Sequence, residues 1–294
     1  TLGAQAPVIV NMSSGISGLT SQVDFVSIGR TWRVVETGGD VATVTVSVPS
    51  TLLTSTITPP GDFLMFISSS PIFSPTAEYR IMRFNGSKLE CTYDFNGTRY
   101  ITFGYAPERT FERCITFDGV NDYLDAGPVL NVNTDFTISA WVRKQQDGRS
   151  IVSKRNASFT EGYDFTINSA GQLEFSFIAG GLQQITSSTV IPADIWHNVA
   201  VTGQNGVYTL YIDGVAAAAQ TLPVVPANNQ SFLIAGADAI SPTSFFRGGI
   251  DEVRVFSTAL SANELRYIMN QELRNNNNFV NGSILPASVT KNEV

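Results

Sequence analysis

"WHNVAVTGQNGVYTLYIDG", residues 196–214, is two strand-prone runs set around a Gly- and Asn-containing turn. Similar runs surround it: "CITFDG", "DYLDAG", "DFTISAWVRK", "SIVSKR", "YDFTINSAG", "QLEFSFIA", "SFLIAGA" and "GIDEVRVF". That makes roughly ten strands from residue 114 onward, broken by Gly, Asn and Asp turns at about 8 to 15 residue spacing, which predicts a two-sheet antiparallel sandwich and not a βαβ fold.

One helix is predicted, over 261–273: Ser261 can cap it, Glu264 completes a capping box, and Leu265, Ile268 and Met269 form an apolar stripe. Residues 274–294 carry no periodic pattern and read as a surface tail or linker to a following module.

Upstream, "VDFVSIGRTWRVVETGGDVATVTVSV" (23–48) reads as two strands around "ETGGD", whose glycines supply the positive φ of a hairpin turn. Val44, Val46 and Val48 alternate with Thr43, Thr45 and Ser47, one buried face against one wet face. Further strands are predicted at 62–68, 79–86, 88–97 and 98–106, and the charged "PERTFER" (107–113) reads as a boundary. The chain of 294 residues therefore divides into a smaller β-sandwich domain at 1–110, a larger one at 111–273 and a tail at 274–294.

A net charge of −7 without a Lys/Arg cluster excludes the electrostatic footprint of a nucleic-acid binder. No apolar stretch approaches the roughly 20 residues of a membrane helix, so no membrane insertion is expected. The chain opens at Thr1 without a basic and apolar leader, and reads as a mature piece of a longer protein. Cys91 and Cys114 are the two cysteines; they read either as small buried side chains or, in an oxidising setting, as a bridge between the domains.

His197 stands alone, so no arrangement needing two histidines can be built, and Ser-His-Asp, GxSxG and HExxH signatures are missing. Asp251 and Glu252 are adjacent carboxylates in a strand, where neighbouring side chains point to opposite faces. They cannot form the acid pair of a retaining glycosidase, and Glu252 is expected to pair with Arg254 or Arg247.

The ordered motifs "CITFDGVNDYLDAG", "FTISAWVRK", "IVSKR", "WHNVAVTGQNGVYTLYIDG" and "FRGGIDEVRVFSTALSANEL" resemble the laminin-G-like, concanavalin-A-like jelly-roll family, over residues 113–273. The first domain, through "TWRVVETGGDVATVTVSVP", resembles β modules that precede such domains in large cell-surface adhesins of gliding Bacteroidetes. These resemblances imply an all-β protein, a monomeric fragment of a secreted, outer-membrane-associated bacterial adhesin, with a glycan or polysaccharide surface as partner and no catalysis.

In such jelly rolls the first and last strands lie side by side, and the last strand resembles that of laminarinase-like hydrolases with a structural calcium. Asp118, Asp122 and Asp251 are the implied calcium ligands, with oxygen donors of the type Ca²⁺ takes. A second calcium at the sandwich rim would draw on Asn156, Glu161, Asp164 and Asp238. Sugar stacking needs exposed aromatic faces: Phe159, Tyr163, Phe245 and Phe246, with Tyr105, sit near turns, whereas Trp32, Trp141 and Trp196 are expected in the core. Two other roles use the same sandwich: an accessory targeting region of a secreted glycosidase or protease, and a structural spacer without a ligand.

Overall fold

The computed structural model describes residues 8–13, 22–54, 61–73, 77–107, 114–132, 134–269 and 288–290. The chain divides into two compact units, Thr1–Thr110 with Arg266–Gly282, and Phe111–Leu265 with Ser283–Val294.

The first unit holds Val8–Ser13 (β1), Gln22–Ser27 (β2), Trp32–Val35 (β3), Val44–Pro49 (β4), a short helix Ser50–Thr54 (α1), Gly61–Ser68 (β5), Glu78–Asn85 (β6), Lys88–Tyr93 (β7) and Thr98–Pro107 (β8). Its strands run in the order β1-β2-β8-β5-β6-β7-β4, with β3 added on β8. β6 is the corner: Glu78–Met82 pair with β5, and Arg83–Asn85 pair with β7. A strand that changes partners midway lets the sheet fold over itself and enclose a core. Phe63, Met65 and Ile67 of β5 and Phe103 of β8 meet Val48 of β4 and Leu89 of β7 there.

The alternation of Val44, Val46 and Val48 against exposed Thr45 and Ser47 is as expected. Gly38 and Gly39 also have positive φ, 87° and 132°. The runs they join do not pair with each other, however: β3 goes to β8 and β4 to β7, because both valine faces are needed on opposite sides of one core. The short helix α1 was not expected; it exists because Leu53 turns fully into that core after Pro49 ends the strand. Cys91 and Cys114 are free thiols, each partly buried, and burial pushes the Cys91 thiol up to about 12.

The second unit contains Ile115–Asp118 (β9), Tyr123–Asp125 (β10), Asp135–Lys144 (β11), Arg149–Arg155 (β12), Gly162–Ile167 (β13), Gln172–Ile178 (β14) and Leu182–Val190 (β15). His197–Gln204 (β16), Val207–Ile212 (β17), Val215–Thr221 (β18), Leu233–Ile234 (β19), Arg247–Phe256 (β20), the helix Ala262–Ile268 (α2) and Ser288–Thr290 (β21) follow. They form a seven-stranded sheet, β15-β14-β13-β12-β19-β10-β21, packed on a six-stranded sheet, β18-β17-β16-β11-β20-β9. The strand pairings among the described residues are all antiparallel, and β9 and β20, the first and last strands of the jelly roll, are neighbours as expected. Tyr163, Phe165 and Ile167 of β13 and Leu173, Phe175 and Phe177 of β14 alternate inward and are fully buried between the sheets.

α2 begins as the capping box predicts: the Ser261 amide donates to Glu264 Oε2 at 2.7 Å, and the Glu264 amide to Ser261 Oγ at 3.3 Å. The patternless tail is corrected in part, since Ser288–Thr290 add to the edge of β10, with Val289 opposite Leu124. A three-residue strand is too short to leave a period in sequence. Among the described residues no helix is long and apolar enough to cross a membrane.

Candidate functional site

The outward face of the seven-stranded sheet carries the polar side chains that alternate with its core residues. Asp164 lies between Tyr163 and Phe165, and the register places it opposite Ser153 on one side and Ser176 on the other. Thr166 stands in the same way between Ser150 and Glu174. At one end of this face the β12–β13 hairpin closes through residues 156–161.

That loop is tightly built. Asn156 Oδ1 accepts the Thr160 amide at 2.9 Å, Asn156 Nδ2 donates to Thr160 Oγ1 at 2.8 Å, and the Asn156 carbonyl accepts the Phe159 amide at 3.1 Å. The result holds Phe159 at φ 46°, a left-handed backbone that an aromatic residue rarely adopts and that costs about 1 kcal/mol or more. The ring is half-buried, and the Arg155 guanidinium carbon sits 4.8 Å from its centroid.

Arg155 is itself fixed: Nε donates to Asp164 Oδ2 at 2.8 Å and Nη1 to the Asn156 carbonyl at 3.1 Å. Ser150 Oγ donates a second bond to Asp164 Oδ2, at 3.1 Å. Burial nevertheless pushes the Asp164 carboxyl up to about 6, against the pull of Arg155 and Ser150 and with a smaller push from Glu174. Asp164 Oδ1 and Ser153 Oγ are both buried without a hydrogen-bond partner among the described residues.

The pH consequence has a definite sign. A carboxyl that binds its proton more tightly folded than unfolded contributes stability below about pH 4, and that contribution is lost as pH rises through about 6. Going from 3.8 to about 6 corresponds to about 3 kcal/mol. Urea unfolding between pH 4 and 7.5 should therefore show Asp164→Asn gaining on the parent chain by up to that amount as pH rises. Parallel profiles for the two proteins would show that Asp164 titrates normally.

Among the expected stacking residues, Tyr163 and Phe246 are corrected. Both are fully buried in the core, where an aromatic face cannot meet a sugar, and the Tyr163 hydroxyl donates to the Leu130 carbonyl at 3.0 Å. Phe245 is half-buried against Tyr123, with centroids 6.2 Å apart, and Phe159 remains. The Tyr105 side chain lies outside the described residues. Trp141 and Trp196 are buried as expected, and Trp32 is half-buried against Phe103.

The calcium set does not assemble. Asp118 is opposite Arg247 in the β9–β20 register, and Asp251 lies four residues further along, about 13 Å away at a strand's rise. Asp118 and Asp122 instead serve their own turn: Asp118 Oδ1 accepts the Val120 amide at 2.7 Å, and Asp122 Oδ2 the Asp118 amide at 3.2 Å. Asn121 Oδ1 of the same turn is buried without a hydrogen-bond partner among the described residues.

The rim set is dispersed as well. Asp238 accepts the Ile240 and Ser241 amides, Glu161 accepts Gln230 Nε2, and Asp164 already faces Arg155. Among the described residues no three His, Cys, Asp or Glu side chains are grouped to hold a metal ion.

β20 bulges where the acid pair sits, with Glu252 and Val253 both facing Ala140 and Glu252 at φ 49°. Glu252 Oε2 accepts Arg254 Nε at 3.0 Å and Nη2 at 2.8 Å, the expected cation, while Asp251 Oδ1 accepts the Glu252 amide at 2.8 Å. Both residues border a cavity of about 230 Å³ between the sheets, lined otherwise by Ile115, Phe117, Leu124, Ile234, Ile250 and Val253. His197 Nδ1 lies 2.8 Å from Asp213 Oδ2 and fixes the start of β16 to the end of β17.

Sequence reasoning singled out Phe159 and Asp164 separately and missed Arg155, Ser150 and Ser153. Asp164 between Tyr163 and Phe165 was legible by alternation, but Ser150 and Ser153, three residues apart on one strand, reach the same face only through the bulge at Ile151, which leaves no period in the sequence.

A family profile described as the concanavalin A-like lectin/glucanases superfamily, Laminin_G_3, matches residues 118–266. Domain 4 of AbnA, an extracellular arabinanase of Geobacillus stearothermophilus solved with arabinotriose, is 20% identical over 54% of this chain and 76% of its own, with TM-score 0.46. A SAP-like pentraxin from Limulus polyphemus is 14% identical over 60% of this chain and 91% of its own, with TM-score 0.47. The CBM40 of a Ruminococcus gnavus IT-sialidase, bound to α2,3-sialyllactose, is 14% identical over 54% and 96%, with TM-score 0.45. No curated protein matches the chain.

Proposed function

The chain belongs to the concanavalin A-like lectin/glucanases superfamily, and from that membership we propose that its second unit is a non-catalytic carbohydrate-binding module within a larger cell-surface adhesin. The observation that carries the reading is Phe159, a half-buried aromatic ring held in a left-handed backbone by Asn156 and backed by Arg155. Strain of that kind persists only where surrounding bonds over-determine it, and it clusters at ligand sites. A ring fixed in this way offers one face to a sugar without losing side-chain freedom on binding.

Two things speak for binding without catalysis. Glu252 is committed to Arg254, and the bulge sets its carboxylate apart from Asp251, so the adjacent acids do not supply an acid and a nucleophile to one bond. Asp164, the carboxyl with a raised proton affinity, is covered by Arg155 and Ser150.

Binding of the 294-residue chain to immobilised polysaccharides tests the reading. Phe159→Ala is expected to weaken the bound glycan at least about tenfold, the loss of one stacking contact and its preorganisation, with the melting temperature almost unchanged. A chain that binds none of a broad panel is a spacer, and a Phe159→Ala chain that binds as well as the parent places the ligand elsewhere.

A further inference from the structure

We infer that Asp164 is a positioning residue for the Phe159 platform and that its protonation loosens the platform; the inference rests on the carbohydrate-binding reading above for its ligand. One side chain joins the carboxylate to the ring. Asp164 Oδ2 accepts Arg155 Nε at 2.8 Å, Arg155 Nη1 donates to the Asn156 carbonyl at 3.1 Å, and the guanidinium carbon lies 4.8 Å from the Phe159 centroid. That carbonyl also accepts the Phe159 amide, so Arg155 grips the turn at a bond that helps hold Phe159 at φ 46°. The Nε bond is charged at both ends only while Asp164 is ionised, and against a neutral acid it is markedly weaker.

The ionised form is the costly one. Asp164 is buried, and of its two oxygens Oδ1 has no donor among the described residues. A carboxylate so placed is stabilised at one oxygen alone, and a proton on the other removes charge where nothing answers it. Ser153, directly opposite in the register, carries a buried hydroxyl oxygen that also lacks a partner among the described residues and can accept the new O–H.

β13 lies between β12 and β14, and each strand sets one charge on Asp164: Arg155 from β12, which favours the carboxylate, and Glu174 from β14, which opposes it. Lys154 and Arg149 stand opposite Tyr163 and Ile167 and so fall on the core side of β12. Burial outweighs Arg155 and Ser150, and the carboxyl titrates at about 6. The arrangement that fixes the ring is therefore the less stable of the two, and acidification through that pH exchanges it for the looser one.

The test follows the full chain from pH 7.5 to 4.5 in two ways. One is calorimetric titration with the tightest binder among β-glucan, xylan, mannan, arabinan and polygalacturonate. The other is hydrogen exchange at the Phe159 and Thr160 amides, both held by Asn156, referred to the Phe165 and Phe175 amides of the same sandwich. Glycan affinity and hairpin protection are each expected to fall about fivefold on acidification, with a midpoint near 6. Asp164→Asn offers Arg155 a neutral acceptor at every pH. It should bind at pH 7.5 as weakly as the parent does at 4.5, with a level profile, although it unfolds at higher urea there than the parent. A residue that merely supports the fold would move binding and stability in the same direction. Level affinity and level hairpin protection in the parent, or an Asp164→Asn chain that binds as tightly as the parent at pH 7.5, overturns the inference and leaves the carbohydrate-binding reading standing. Binding of no glycan at any pH overturns that reading instead. Exchange then decides the inference: protection that falls in the parent and not in Asp164→Asn upholds it, and a level profile in the parent overturns it.

Discussion

Replacing Phe175 with Ala is expected to lower the stability of the second unit by about 4 kcal/mol, the middle of the range for a buried aromatic truncation. Phe175 is fully buried on β14, and five aromatic rings surround it: Phe136, Tyr163, Phe165, Phe177 and Tyr208, at centroid distances of 5.7 to 6.5 Å. These rings come from β11, β13, β14 and β17, hence from both sheets, so the void left by truncation opens at the seam of the sandwich. Rigid rings in strands cannot collapse into such a void as flexible side chains can, and the cavity cost adds to the lost transfer energy. Urea unfolding monitored by near-ultraviolet dichroism would read the effect. The first unit has its own core of Phe63, Met65 and Phe103, so its transition should stay where it is in the parent. A loss under 1 kcal/mol would mean that the five rings are not packed as described.

Gly162→Ala should cost about 3 kcal/mol and abolish glycan binding together with the stability loss. Gly162 pairs with Arg155 at the mouth of the β12–β13 hairpin with φ 91°. A Cβ there would stand 1.9 Å from the Lys154 carbonyl oxygen and 2.7 Å from the Arg155 Cα, both backbone atoms that move only if the hairpin opens. Opening it separates Arg155 from Asp164 and releases the turn that holds Phe159. Gly180→Ala is the control: its φ is 69° and nothing lies within 4 Å of an added Cβ, so it meets only the left-handed backbone penalty of about 1 kcal/mol. Equal melting temperatures for the two variants would remove the argument that Gly162 is set by contact. A Gly162→Ala chain that is destabilised yet binds glycans normally would detach the hairpin from the ligand site.

Much of the fold was legible because its signals are local. Val44, Val46 and Val48 declare a half-buried strand by alternation alone, and Ser261 and Glu264 declare a helix start within three positions. Pairing partners are another matter. Nothing within "TWRVVETGGDVATVTVSV" says that its two strands go to β8 and β7, since the choice depends on residues 98–101 and 88–93. The same limit applies to the expected calcium ligands. Neighbouring first and last strands were a sound expectation, but a register difference of four residues separates Asp251 from Asp118, and register is set by the whole sheet.

The candidate site shows where the division falls. Sequence by itself determined that this protein is built of antiparallel strands with short polar turns and that its second half is a two-sheet sandwich. Those properties follow from residue type and from the two-residue period of a strand. Tertiary structure decided which aromatic faces outward and which charge answers which. Tyr163 and Phe159 are four residues apart and both lie near the same hairpin turn, yet one is sealed between two sheets and the other is pinned on Arg155. Burial and hydrogen bonding depend on neighbours brought from strands distant in sequence, and those neighbours exist only once both sheets have closed on the Phe175 cluster.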